Sequence, residues 1–116
     1  MRQYFMNKIL PRILRYYETS QGKIPFLEWL NGIKDSTTRY RIRLRLDRLE
    51  LGNLGDCKPV GDGILELRLP FGPGYRIYFS EIDQEIVILL CAGDKSSQKR
   101  DIQLAKQYWF ELKERP

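Results

Sequence analysis

Leu65, Leu67 and Leu69 alternate with Glu66 and Arg68, and Tyr75, Ile77 and Phe79 alternate with Arg76 and Tyr78. A period of two places alternate side chains on opposite faces of a strand. The turn-forming run Pro70-Phe71-Gly72-Pro73-Gly74 separates the two stretches, so residues 64–79 predict a hairpin. With pairing symmetric about Gly72, Leu69 opposes Tyr75, Leu67 opposes Ile77 and Leu65 opposes Phe79, all toward one core. On the other face Arg68 opposes Arg76 and Glu66 opposes Tyr78.

The same patterning predicts the remaining elements. Ile13, Leu14, Tyr16 and Tyr17 give a strand over 12–18, ended by Thr19-Ser20-Gln21-Gly22. Pro25 suits the first turn of a helix whose apolar stripe is Phe26, Leu27, Leu30 and Ile33. Trp29 lies off that stripe and is expected to pack against the next helix. Between Asp35 and Leu51, arginines alternate with apolar residues in strand fashion, yet Ile42, Leu46 and Leu49 also share one helical face. Length and the Arg/Leu-rich composition favour a helix over 36–51, capped by Asp35 or Ser36. Residues 52–63 read as a helix stop and a loop. The unbroken apolar run Ile86–Cys91 predicts a strand buried on both faces, and Ile102, Ala105, Trp109 and Leu112, with Tyr108 alongside, predict a last helix. Residues 1–10 show no period and read as a tail. The whole is a single α+β domain over 1–116, with a helical hairpin, a small mainly antiparallel sheet and a C-terminal helix.

Composition narrows the chemistry. The net charge of +5 and the pI near 9.3 favour a polyanionic partner, nucleic acid or acidic protein. There is no His, so catalysis would have to run on Lys, Arg, Tyr, Asp or Glu. Cys57 and Cys91 lack metal-ligand or redox spacing, and no stretch is apolar enough for a signal peptide or a membrane span. A reduced, cytoplasmic protein without metal or cofactor is the expectation.

Two facing guanidinium groups repel each other across a strand pair. An anion between them would explain the pair, since arginine presents a planar fork suited to phosphate oxygens. The plainer alternative is a solvated strand face with one arginine satisfied by Glu66. Lys95, Lys99 and Arg100 crowd the start of the last helix, where the helix dipole disfavours cations. That makes either an anion site or a mildly unfavourable surface offset by Asp94 and Asp101.

The blocks Leu49–Asp56, Lys58-Pro59-Val60-Gly61, Glu66-Leu67-Arg68, Phe71–Tyr78 and Gly93–Gln98 resemble the RelE/ParE toxin superfamily. The closest branch is the HigB-like addiction module killer proteins of type II toxin–antitoxin systems, and the resemblance covers about residues 12–113. It implies the RelE-like order β-α-α-β-β-β-α. It also implies a ribosome-dependent mRNA endonuclease that cleaves without metal and is held inactive by a cognate antitoxin, often a helix-turn-helix protein. Operator DNA would be met only through the antitoxin complex. Carried over by position, the resemblance implies that Arg68, Arg76, Lys58 and Lys95 act on the scissile phosphate. Tyr78 and Tyr75, with Lys99 and Arg100, would bind RNA, Tyr78 sharing the arginine face. Acid and base are left open among Lys58, Lys95 and Glu66. The superfamily also holds ParE-like inhibitors of DNA gyrase, a reading the Arg-rich helix would suit, and a purely partner-binding protein is a third alternative.

Overall fold

The computed structural model describes residues 11–116, and the expected tail over 1–10 lies outside them. The elements follow in the order β1 (Ile13–Tyr16), α1 (Pro25–Gly32), α2 (Ser36–Glu50), β2 (Cys57–Gly61), β3 (Ile64–Arg68), β4 (Arg76–Ile82) and β5 (Ile86–Gly93). A 3-10 turn (Lys95–Ser97) then leads into α3 (Gln98–Lys113). This is a mixed α+β fold around one five-stranded sheet of order β1-β5-β4-β3-β2. All neighbouring strands are antiparallel except β1 and β5. No described helix is long and apolar enough to cross a membrane.

The β3–β4 hairpin has the expected register: Leu65 with Phe79, Glu66 with Tyr78, Leu67 with Ile77 and Arg68 with Arg76. Its six alternating apolar residues face a core completed by Phe26 and Leu30 of α1 and by Ile42, Leu46 and Leu49 of α2. β5 is an interior strand, buried from Val87 to Cys91. Segment 36–50 is a helix, and Asp35 caps it by accepting a hydrogen bond from the Thr37 amide at 3.3 Å.

One expectation needs correction. Residues 57–61 form a strand, not a loop. Pro59 is tolerated because β2 is an edge strand and needs no outward donor. Trp29 packs against Phe26 and the hairpin residue Tyr75, with ring centroids 5.7 Å away in both cases, on the core that Ile42, Leu46 and Leu49 of α2 also enter. The arginines of α2 are also more committed than a solvated face requires. Arg45 is buried and donates to the carbonyls of Asn53 (3.2 Å) and Leu54 (2.5 Å), Arg39 donates to those of Ile33 and Lys34, and Arg41 lies 4.0 Å over the Phe71 ring.

Candidate nucleic-acid site on the α3 face of the sheet

The opposite sheet face is covered by α3, which buries Ala105 fully and Ile102, Tyr108, Trp109 and Leu112 in part against Ile64, Tyr78, Ile88, Leu90 and Cys91. Within this layer lies a charged centre around Glu66. Glu66 has no solvent exposure. Its Oε1 accepts from Arg68 Nε at 3.1 Å and meets Arg76 Nη1 at 3.5 Å. Its Oε2 accepts from Tyr78 Oη at 3.0 Å and from Gln98 Nε2 at 2.8 Å. Burial alone would raise this carboxyl's pKa. The bonds from Gln98, Arg68 and Tyr78 and the charge of Arg76 outweigh burial and hold it below the usual range.

The anion between the two arginines is therefore the protein's own carboxylate, and it serves both guanidinium groups where the sequence suggested only one. Arg76 is largely covered, with its Nε–H buried and unpaired among the described residues, while Arg68 is about one-third exposed. Lys58, on β2, stands opposite Glu66 in the strand register and is exposed. Gly93 pairs with Arg76, and Lys95 follows two residues later, exposed, its stem beside Gly74. The structure thus brings Arg68, Arg76 and Lys58 onto one face with Lys95 at the end of the arginine row. Two guanidinium groups meet one carboxylate there and Lys58 stands on the same face, which leaves attraction for a further anion.

The tyrosines differ from the expectation. Tyr78 shares the arginine face but is fully buried, so its ring offers no surface for a base. Burial and the neighbouring Glu66 carboxylate push its pKa up, so the hydroxyl stays protonated and acts as a donor to Glu66. Tyr75 lies on the other face, edge-on to both Trp29 and Phe71. Tyr78 is therefore no open stacking platform, whereas Tyr75 is half-buried and lines a cleft on that other face.

The start of α3 is built by side chains the sequence only partly signalled. Asp94 accepts from the Ser96 amide at 2.8 Å and caps the 3-10 turn, while Ser97 turns its hydroxyl to Asp101 at 2.5 Å. Asp101 is buried over Gly93, where a Cβ would fall 1.9 Å from its carboxylate oxygen. Close packing, not backbone strain, thus requires glycine at that point. Lys99 and Arg100 stay exposed and, with Ser96, Ser97 and Gln103, line a cleft of about 630 Å³. Gln98 was missed by sequence reasoning, because a glutamine opening a helix carries no signal of a buried partner 32 positions earlier.

No protein-family model matches the chain. It is 47% identical over 89 residues, spanning 77% of this chain and 90% of the relative, to a Haemophilus influenzae protein described as an uncharacterized protein. The chain belongs to the family of that protein.

Proposed function

We propose that this chain is a RelE-like toxin of a type II toxin–antitoxin system, acting in the cytoplasm as a ribosome-dependent mRNA endonuclease. The observation that carries this reading is the pair Arg68 and Arg76, aimed side by side by one buried carboxylate on a face that also bears Lys58 and ends at Lys95. The order of elements supports it too, with β2 added to the expected set.

In such a reaction the ribose 2′-oxygen attacks the adjacent phosphorus and the 5′-oxygen leaves, giving a cyclic phosphate and a 5′-hydroxyl. Negative charge gathers on the non-bridging oxygens as the phosphorus becomes five-coordinate. Arg68 and Arg76 stabilise that charge, and one well-placed donor is worth about 3–4 kcal/mol of barrier. Glu66 holds both guanidinium groups in place before substrate arrives, so little reorganisation remains to be done in the reaction. Its depressed pKa and enclosed position suit it to orienting the arginines and not to taking the 2′-proton. The exposed amines of Lys58 and Lys95 are left to handle the protons. A cognate antitoxin would neutralise the basic surface.

The test is induced expression in a bacterial host lacking the antitoxin, with mRNA ends mapped and DNA supercoiling scored together. Cuts phased to codons in translated mRNA, reduced about 10²–10³-fold in Arg76→Ala, are expected. Growth arrest with intact mRNA and DNA damage would place the target at gyrase instead, and absence of arrest would sink both.

A further inference from the structure

The outer flank of α3 reads Lys99, Gln103, Lys106, Phe110 and Lys113, exposed except for the half-buried Lys106, spaced at helical intervals on one side and containing no acid. This stripe runs about 21 Å. At its start, Gln98 touches Glu66 beside the arginine pair. Further along, Lys106 crosses the edge strand, its Nζ 3.8 Å from Asp62 and beside Gly61, and Trp109 lies against Gly63. Asp62, Lys106, Trp109, Phe110 and Lys113 enclose a second cleft of about 370 Å³. Phe110 is 65% exposed, the one large apolar side chain of α3 so exposed; its counterparts among the described residues lie on β1, α2 and its C-cap, and β4.

We propose that the α3 flank and the edge strand β2 form a track for single-stranded RNA leading away from the arginine pair. The inference rests on the nuclease reading for its substrate class and extends it beyond the scissile phosphate. Lys58, Lys99, Lys106 and Lys113 follow the backbone, and Phe110 stacks a base. A single ring between cations suits this occupant, because every base has a face to stack and each phosphate a charge to pair. A protein partner would need a cluster of apolar anchors, which this flank does not offer.

The test is fluorescence anisotropy of a labelled 12-nucleotide uridine RNA with the purified full chain, over a salt series. Phe110→Ala is expected to weaken binding about 5- to 100-fold. The double variant Lys106→Ala/Lys113→Ala should lose about tenfold and flatten the salt slope by about 1.4, the contribution of two phosphate contacts. The control Arg15→Ala/Arg43→Ala, which removes equal charge elsewhere, should change binding less than twofold. Equal losses in control and track variants, or an unaffected Phe110→Ala, overturn the proposal. So does a poly-glutamate 12-mer that competes as well as RNA and depends on Phe110, an outcome that would mark an acidic-protein surface. Cleavage on ribosomes is measured separately. Wild type that binds through Phe110 but leaves mRNA intact sinks the nuclease reading and keeps the track, whereas cleavage without Phe110-dependent binding sinks only the track.

Discussion

The two faces of the sheet are built from the same strands on opposite principles. Toward α1 and α2, Leu67, Ile77, Phe79, Val87 and Leu89 form a purely apolar layer in which any polar group would be unpaired. Toward α3, the alternate positions of β3 and β4 carry Glu66, Arg68, Arg76, Tyr78 and Ser80, each with a hydrogen bond or ion pair. The first face works by area removed from water and tolerates no cavity. The second adds directional partners to the apolar seat of α3, so what it loses on substitution is orientation as much as stability.

Phe79→Ala should break the comparison on the apolar side, costing about 3–5 kcal/mol in urea unfolding. Gly93→Ala should strike the other side nearly as hard. Its methyl group displaces the Asp101 carboxylate and with it the start of α3, at about 1–3 kcal/mol, and the Ser97–Asp101 bond should vanish in the crystal structure of the variant.

Glu66→Gln keeps the shape and removes the charge, so a loss of about 1–2 kcal/mol is expected at neutral pH. The pH dependence sharpens this. A carboxyl whose folded pKa lies below its unfolded value near 4.3 contributes stability above that value, and the contribution fades as pH falls through the folded pKa. The gap between wild type and Glu66→Gln should therefore be full at pH 6–7 and shrink below about pH 4. Equal gaps at pH 3 and pH 7 would mean that Glu66 contributes shape alone. Tyr78→Phe is the mildest probe, removing one donor to Glu66 for about 1 kcal/mol. It should leave the apolar face untouched, as judged by unchanged methyl NMR shifts of Leu67 and Ile77.

The hairpin register was legible because period-two alternation and a Gly/Pro turn leave one pairing that buries all six apolar residues. The arginine pair followed from it. What covers a face was not legible: Tyr78 was assigned to the correct side, but only the packing of α3 shows that it is enclosed. β2 was hidden by its composition, since Cys-Lys-Pro-Val-Gly lacks alternation, has Val60 as its one strong β-former and pairs on one side only. The carbonyl contacts of Arg39 and Arg45 were not legible, because arginine's use as a carbonyl anchor leaves no mark in the local pattern. Arg45 reaches Leu54 only because the chain after the helix folds back beneath it.

The parallel pairing of β1 with β5 has a consequence in time. Ile13 meets Ile86, 73 positions later in the chain, and β5 is the neighbour of β1 in the sheet. At bacterial elongation rates the first strand waits roughly 4–15 s on the ribosome for its neighbour. The same later stretch supplies Gln98, so the fourth partner of the Glu66 carboxylate arrives after the sheet's own closing strand. A nascent chain cut short before residue 86 carries both arginines and Glu66 but lacks β5 and the Gln98 bond to that carboxylate. The arrangement therefore couples closure of the sheet to synthesis of β5, and truncation upstream of residue 86 should yield a protease-sensitive polypeptide.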